Sequence, residues 1–551
     1  MNLKKTSIAL AVSLFSAFGS GAYAQTDIAS KVPSYRFSAK EKQQKKELAD
    51  NPLLKRYAES RKRLDAADRH RPAYHFISPE GRLNDPNGLC YWNGRWHLFY
   101  QAYPPEDPRQ HWGHAVSDDM IHWQDLPLAI YPDPETKVYS GATLVEKDRV
   151  IAAYHGVGYG NMIAVSSDPL LLNWDKLPEN PMVAIRKKGE KLPYNVFDPC
   201  IWHKGEYYYA LSAGTQPTGP GGQNMPAEFL FRSKDLKKWE YMHQFLEDNS
   251  YSLVGDDGAC PYFWPIGDRG KHILLHFSHK SGGKYLIGDY DTDRDKFKIT
   301  GGGNFNHGPV GNGGVHAPSA CPDGKGGIVA IFNMTSGKRL GKDCYSELMT
   351  LPRLLTLDTL DRLCIRPFGD IESLRGECVS IEGMRLPANT ETVLDKVEGE
   401  TLEIEAEIDL GGAPAFEFDV LRSPDKREYT RIIFYRNGGY PDRTAPGRHK
   451  VRASAIAIDN SHGSLSDIVR PRVTETADVY LGNKETVKLR IFIDRSVVEV
   501  FVNDRQCIAV RTYPTLEESR GVAIRPVGKD VRLVKLNAWQ MGSIYDTAAE
   551  K

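Results

Sequence analysis

From Tyr74 to about Leu374, short aromatic and β-branched runs are broken at close intervals by Gly, Asp, Asn and Pro. That rhythm predicts β-strands joined by turns. One unit recurs: Ser117-Asp118-Asp119-Met120-Ile121-His122-Trp123 is echoed by Ser166-Ser167-Asp168 with Trp174, and by Ser233-Lys234-Asp235-Leu236-Lys237-Lys238-Trp239. Repeats of this kind, each with strands and a Trp, suggest propeller blades. From about Val379 to Trp539 the pattern is strand-like again. Leu402-Glu403-Ile404-Glu405-Ala406-Glu407-Ile408 alternates apolar and charged residues, as expected of strands that pack two sheets face to face. Ahead of the strands, Lys40 to Ala67 has helix-forming composition with spaced apolar residues (Leu48, Leu53, Leu54, Tyr57, Leu64). It predicts one or two helices on the outside of the main domain.

The 551 residues are too many for one ordinary domain. The predicted order is a leader over 1–24, a charged helical extension over 25–72, a propeller over 73–374 and a sandwich over 379–545. Met1 to Ala24 has the parts of a secretory signal: basic Lys4-Lys5, an apolar run from Ile8 to Phe18, and Ala22-Tyr23-Ala24 before Gln25. The apolar run is short for a bilayer span, so no membrane anchor is expected. Lys+Arg and Asp+Glu are equal at 71 each, which gives no reason to invoke nucleic acid. Eight Cys show no Cys-x-x-Cys pair, and Cys90, Cys200 and Cys260 read as small buried residues on inner strands.

The candidate chemistry starts at Gly81-Arg82-Leu83-Asn84-Asp85-Pro86-Asn87-Gly88. Pro86 removes a backbone donor and pushes Asp85 towards extended geometry. Asn87-Gly88 is expected to supply the positive φ that closes a turn into the next strand. Alone, the stretch is compatible with a surface hairpin. It is accompanied by His75-Phe76, Leu98-Phe99-Tyr100-Gln101, His111-Trp112-Gly113-His114-Ala115-Val116-Ser117, Tyr139-Ser140-Gly141, Leu351-Pro352-Arg353 and Arg366-Pro367. In this order the motifs resemble glycoside hydrolase family 32, the β-fructofuranosidases, and the resemblance runs from Tyr74 to Trp539. It implies an all-β chain: a five-bladed β-propeller followed by a C-terminal β-sandwich, to which Leu489 to Phe501 is a close match. Asp494 and Glu499 in that stretch are expected to face solvent or the domain interface.

Hydrolysis of a glycosidic bond normally needs two carboxyl groups across it. By resemblance Asp85 is the nucleophile, and Asp198, in Val196-Phe197-Asp198-Pro199-Cys200, is the transition-state stabiliser. Phe197 stands where the family usually has Arg, and a phenyl ring cannot replace a fork of donors. The family's acid/base Glu precedes Cys, but Gly255-Asp256-Asp257-Gly258-Ala259-Cys260-Pro261 has Ala259 there. If the segment is extended, Asp257 shares a face with Ala259, and Asp257 is the expected replacement acid/base. Asp256 is the neighbouring alternative and is otherwise expected near the substrate. Asn84, Gln101, Trp112, Tyr139 and Ser140 match family positions around the terminal sugar. His111 and His114 lack nearby carboxylate spacing, so no metal is expected, and no cofactor. The reading is an exported retaining hydrolase of β-fructofuranosides, acting on an oligo- or polysaccharide. A catalytically silent sugar-binding protein and a hydrolase of another furanoside are the alternatives. A carboxyl group facing Asp85 discriminates the first, and a screen of furanosides the second.

Overall fold

The computed structural model describes residues 29–186, 189, 191–337, 347–441, 452–482 and 484–545. The expected leader lies outside them. Five sheets follow one another along the chain, antiparallel except where Leu246–Glu247 pairs parallel with the outer strand Lys296–Asn304 of the fourth. Their innermost strands are Arg82–Trp92, Val138–Val145, Pro199–Lys204, Ala259–Pro265 and Val315–Pro322. Each of these strands touches the next, and the last touches the first, so the five sheets close into a ring of blades around a central funnel. Two six-stranded sheets follow and form the sandwich. Ile404, Phe416, Phe418, Ile432, Ile491 and Val498 fill the space between them. In the alternating stretch, Leu402, Ile404, Ala406 and Ile408 are buried. Glu403 is buried too, where Arg375 and Arg490 pair with it.

The recurring Ser-Asp-Trp unit has a local cause. It ends the third strand of blades one, two and three, at Ser117, Ser166 and Ser233. Asp119, Asp168 and Asp235 each accept backbone N–H groups of the turn that follows. The turns pass through positive φ at Met120, Leu171 and Leu236, which the carboxylate bonds help to hold. Trp174 and Trp239 donate to the carbonyls of Leu171 and Leu236 at 2.9 Å.

The extension forms two helices, Glu41–Ala49 and Pro52–Ala67. Asn51 caps the second by accepting from Leu53 and Leu54, and Pro52 occupies its first turn, where a missing N–H costs nothing. Leu53, Tyr57 and Arg61 turn inward, and Arg61 reaches Asp125 on the outermost strand of blade one at 2.7 Å.

Propeller and sandwich meet over a buried charged cluster. The Asp494 carboxylate accepts backbone N–H bonds from Ala73, Tyr74 and His75 and lies 2.8 Å from His75 Nδ1. Glu499 accepts from Leu351 N and pairs with Arg353 at 3.0 Å. Of the two places expected for Asp494 and Glu499, the structure selects the interface and not solvent.

Candidate active site

The funnel ends of the inner strands are irregular. Register breaks fall at Leu83/Pro86 and Asn87/Cys90 in blade one, at Val138/Gly141 in blade two, at Ala259/Tyr262 in blade four and at Val315/Pro318 in blade five. Bulges of this kind re-aim side chains. The Asn84–Gly88 stretch is therefore not the turn expected from sequence. It is bulged strand, because Pro86 cannot donate to the ladder, and the hairpin turn lies at Asn93-Gly94 instead. Gly88 has φ +51, and a Cβ there would meet Thr143 at 2.7 Å and the Phe99 and Trp112 rings at 3.2 and 3.3 Å.

Asp85 projects from this bulge into the funnel. Its Oδ2 accepts from Ser140 Oγ at 2.7 Å and Gln101 Nε2 at 3.2 Å, and the Cys260 thiol lies at 3.7 Å. Gln101 also donates to Ser140 at 2.7 Å, and its Oε1 accepts from Asn84, whose own oxygen accepts from Asn333. Asn84, Gln101 and Ser140 are thus brought together as expected, but Gln101 and Ser140 are buried and hold Asp85. Burial raises the Asp85 carboxyl above its ordinary value, opposed by the Ser140 bond and the charge of His279.

Asp198 comes from the residue before the inner strand of blade three, the opening position where Pro199 is tolerated. Its Oδ2 accepts from Cys260 N at 3.1 Å, and the Cys260 thiol lies at 3.4 Å. Burial and the charge of Asp85 push its carboxyl up to about 7. Cys260, at φ +51, stands between the two aspartates and is more than a small apolar filler.

Two expected sugar contacts are not available. Trp112 has no exposed surface: it packs on Phe99 and Tyr154 and donates to the Tyr139 carbonyl at 2.9 Å. Asp256 is also fully buried. It accepts from Ser278 Oγ and Ser281 Oγ at 2.7 Å each and from Leu253 N at 2.6 Å, with Lys284 at 3.4 Å. Tyr139 stays partly exposed, and Phe197 is 54% exposed beside the His155 ring. His155 also neighbours Tyr139, so an aromatic row runs along the wall of blades two and three.

The third acid does not sit where strand parity puts it. Gly255 and Gly258 take φ +88 and +68, so residues 255–258 are not extended and the inner strand begins at Ala259. Asp257 turns to the hairpin between the second and third strands of blade four. Its carboxylate binds His279 Nδ1 at 2.6 Å and accepts from the His279 backbone N at 3.2 Å. Three titratable groups not singled out from sequence complete the surroundings. His279 has a side chain 74% exposed, and the Asp257 bond holds its imidazole above the ordinary value. Glu228 is 1% exposed and raised well above the ordinary range by burial and by Asp198 and Asp257. Glu347 is pushed up to about 8 by burial and Asp85. A sequence signal was available only for Glu228, an acid among apolar residues in Pro226-Ala227-Glu228-Phe229-Leu230-Phe231. Among the described residues no group of three or more His, Cys, Asp or Glu is arranged to hold a metal ion. His111 bonds Ser30, and His114 bonds His97.

Comparison with known proteins agrees with this architecture. The glycosyl hydrolases family 32 N-terminal domain matches residues 75–367, and the glycosyl hydrolases family 32 C-terminal domain matches residues 370–540. A levanase of Bacillus subtilis (strain 168) is 26% identical over 531 residues, covering 88% of this chain and 73% of that protein. A fructan 6-exohydrolase of Beta vulgaris is 25% identical over 550 residues, covering 86% and 87%. The crystal structure of fructan 1-exohydrolase IIa from Cichorium intybus shares the fold with a TM-score of 0.73 at 21% identity, over 86% of this chain and 98% of that one. The chain belongs to glycosyl hydrolase family 32 and is a β-fructofuranosidase-like glycoside hydrolase.

Proposed function

We propose that the protein is an exported, retaining hydrolase that releases fructose from β-fructofuranosides of the sucrose, inulin or levan type, with Asp85 as nucleophile. The observation that carries this reading is the Asp85 carboxylate: bulged into the funnel, held by Ser140 and Gln101, and facing Asp198 across Cys260. An Asp85 oxygen bonds to the anomeric carbon as the bond to the leaving oxygen breaks. Water then attacks the same carbon and returns the carboxylate, so configuration is kept through two inversions. Asp198 stabilises positive charge on the ring and accepts from sugar hydroxyls. Relatives named fructan 6-exohydrolase and raffinose invertase support the substrate class. The basic, apolar and small-residue order of 1–24 supports export.

Phe197 favours a second reading, a hydrolase of a different furanoside. Its exposed ring offers an apolar face where the family usually presents a guanidinium. A panel of sucrose, inulin and levan oligosaccharides and non-fructose furanosides, assayed for released monosaccharide, separates the two. Fructose release from at least one fructoside supports the first reading. Release of another sugar alone supports the second, and binding without turnover the silent-binder alternative.

A further inference from the structure

With Ala259 at the family's acid position, some other group must protonate the leaving oxygen. This inference rests on the reading of Asp85 above. The geometry points to His279, oriented by Asp257, as the general acid and base of the reaction.

The hairpin carrying His279 is clamped from below. Asp256 binds both Ser278 and Ser281, the residues on either side of His279-Lys280, and Ser278 Oγ accepts from Lys280 N. Asp257 then fixes the ring by accepting from both the backbone N and Nδ1 of His279. The adjacent acids thus have separate tasks: one sets the turn, the other sets the ring. With Nδ1 engaged, Nε2 has no hydrogen-bond partner among the described residues and belongs to a ring 74% exposed. Phe277, whose ring packs on His279, pairs with Ala259 and clusters with Cys260, the residue whose thiol lies beside both Asp85 and Asp198, which places the His279 hairpin at the funnel. The Phe277 ring packs against the imidazole at 4.8 Å, and His316, held near 3 mainly by burial, is uncharged there at neutral pH. Lys280 points away, to the Val254 carbonyl. Glu228 is a poorer donor because its 1% exposure keeps it from a leaving oxygen. Glu347 has an Oε2 that is also buried.

In the first step the Asp85 oxygen bonds to the anomeric carbon, the bond to the leaving oxygen breaks, and that oxygen takes the proton from His279 Nε2. The neutral ring keeps its Nδ1–H on Asp257. In the second step Nε2 takes a proton from water as the water oxygen bonds to the anomeric carbon, and the bond to Asp85 breaks. The imidazolium and the carboxylate are both restored.

The test compares sucrose with β-fructofuranosyl fluoride, whose leaving group needs no proton. His279→Gln should lose about 10²–10³-fold in kcat/KM on sucrose, the usual weight of a general acid, and less than about tenfold on the fluoride. Azide should raise its turnover of the fluoride by yielding fructosyl azide. Asp257→Asn keeps the imidazole and guards against a folding failure in the first variant. It should move the alkaline limb of the pH profile down by about one unit, because the imidazole loses its carboxylate. Equal losses on both substrates in folded His279→Gln, or an unmoved limb in Asp257→Asn, would overturn the assignment. So would a substrate-selective loss found in Glu228→Gln instead. Wild-type protein that cleaves neither substrate would overturn the reading of function itself, a distinguishable result.

Discussion

Two clusters of carboxylates, one at the domain interface and one in the funnel, are built oppositely. At the domain interface Glu499 has Arg353 and His75 beside it, and although burial opposes this, its carboxyl is held below the ordinary value. His75, bonded to Asp494 and Glu499, is held above its own against the effect of burial. In the funnel, Asp85 and Asp198 face hydroxyl, amide and thiol groups, and both are pushed up. Burial costs an ion several kcal/mol, which a good ion pair repays and a few hydrogen bonds repay only in part. The interface therefore holds charge at rest and joins two domains. The funnel holds carboxylates whose charge is under-compensated, a condition that suits a nucleophile awaiting a cationic transition state.

The contrast can be broken by single substitutions. The largest expected effect is in the funnel and on rate. Asp85→Asn keeps shape but cannot form the glycosyl-enzyme, so kcat should fall on the order of 10⁴-fold or more with no loss of melting temperature. Steady-state assay and a melt check this, and a substantial remaining rate would remove Asp85 as nucleophile. The next effect is at the interface and on stability. Glu499→Gln leaves the buried Arg353 charge unmatched while His75 keeps Asp494, a change worth roughly 3–5 kcal/mol. Urea unfolding should show it as a lower midpoint, and a loss under about 1 kcal/mol would mean the pair contributes little.

A smaller effect of opposite sign belongs to Asp198. Its folded value is near 7 against an ordinary 3.8, so between about pH 4 and pH 7 the folded state keeps a proton that the unfolded state has lost. Stability then falls as pH rises through that window, and the penalty is complete above it. Asp198→Asn lacks the penalty. It should match wild type near pH 4 and melt about 1–3 °C higher above pH 7, since each kcal/mol moves a chain of this length by only about 1 °C. An equal melting difference at both pH values would contradict the sign. The smallest effect is Ser140→Ala. Without the 2.7 Å bond the Asp85 carboxyl rises further. The acid limb of kcat/KM should move up by about one pH unit, and an unmoved limb would mean the bond does not tune the nucleophile.

What sequence could convey divides along the same physical line. Blades one to three were legible because one local device, Ser-x-Asp before a positive-φ residue, ends their third strands. Blades four and five make comparable turns differently: Asp291 accepts from Asp293 and Arg294, and Asp358 from Leu360 and Arg362. No repeat is visible there, so the number of blades came from the family resemblance. Asp85 and Asp198 were legible because each sits beside a Pro in a short motif. His279 was not, since its link to Asp257 spans 22 residues and exists only once blade four pairs its strands. Strand parity does not extend to Asp257, because Gly255 and Gly258 at positive φ break the alternation on either side of it. Trp112 misled because a sugar platform and a core ring have the same composition, and only closure of blades one and two decides between them.

A covalent bond between the under-compensated Asp85 and the sugar fixes the anomer that is released first. NMR of the first-formed product from a β-fructofuranoside, before mutarotation, reads it. Retention of the β-configuration is the predicted result. First release of the α-anomer would contradict it, because a single displacement by water needs no bond to Asp85.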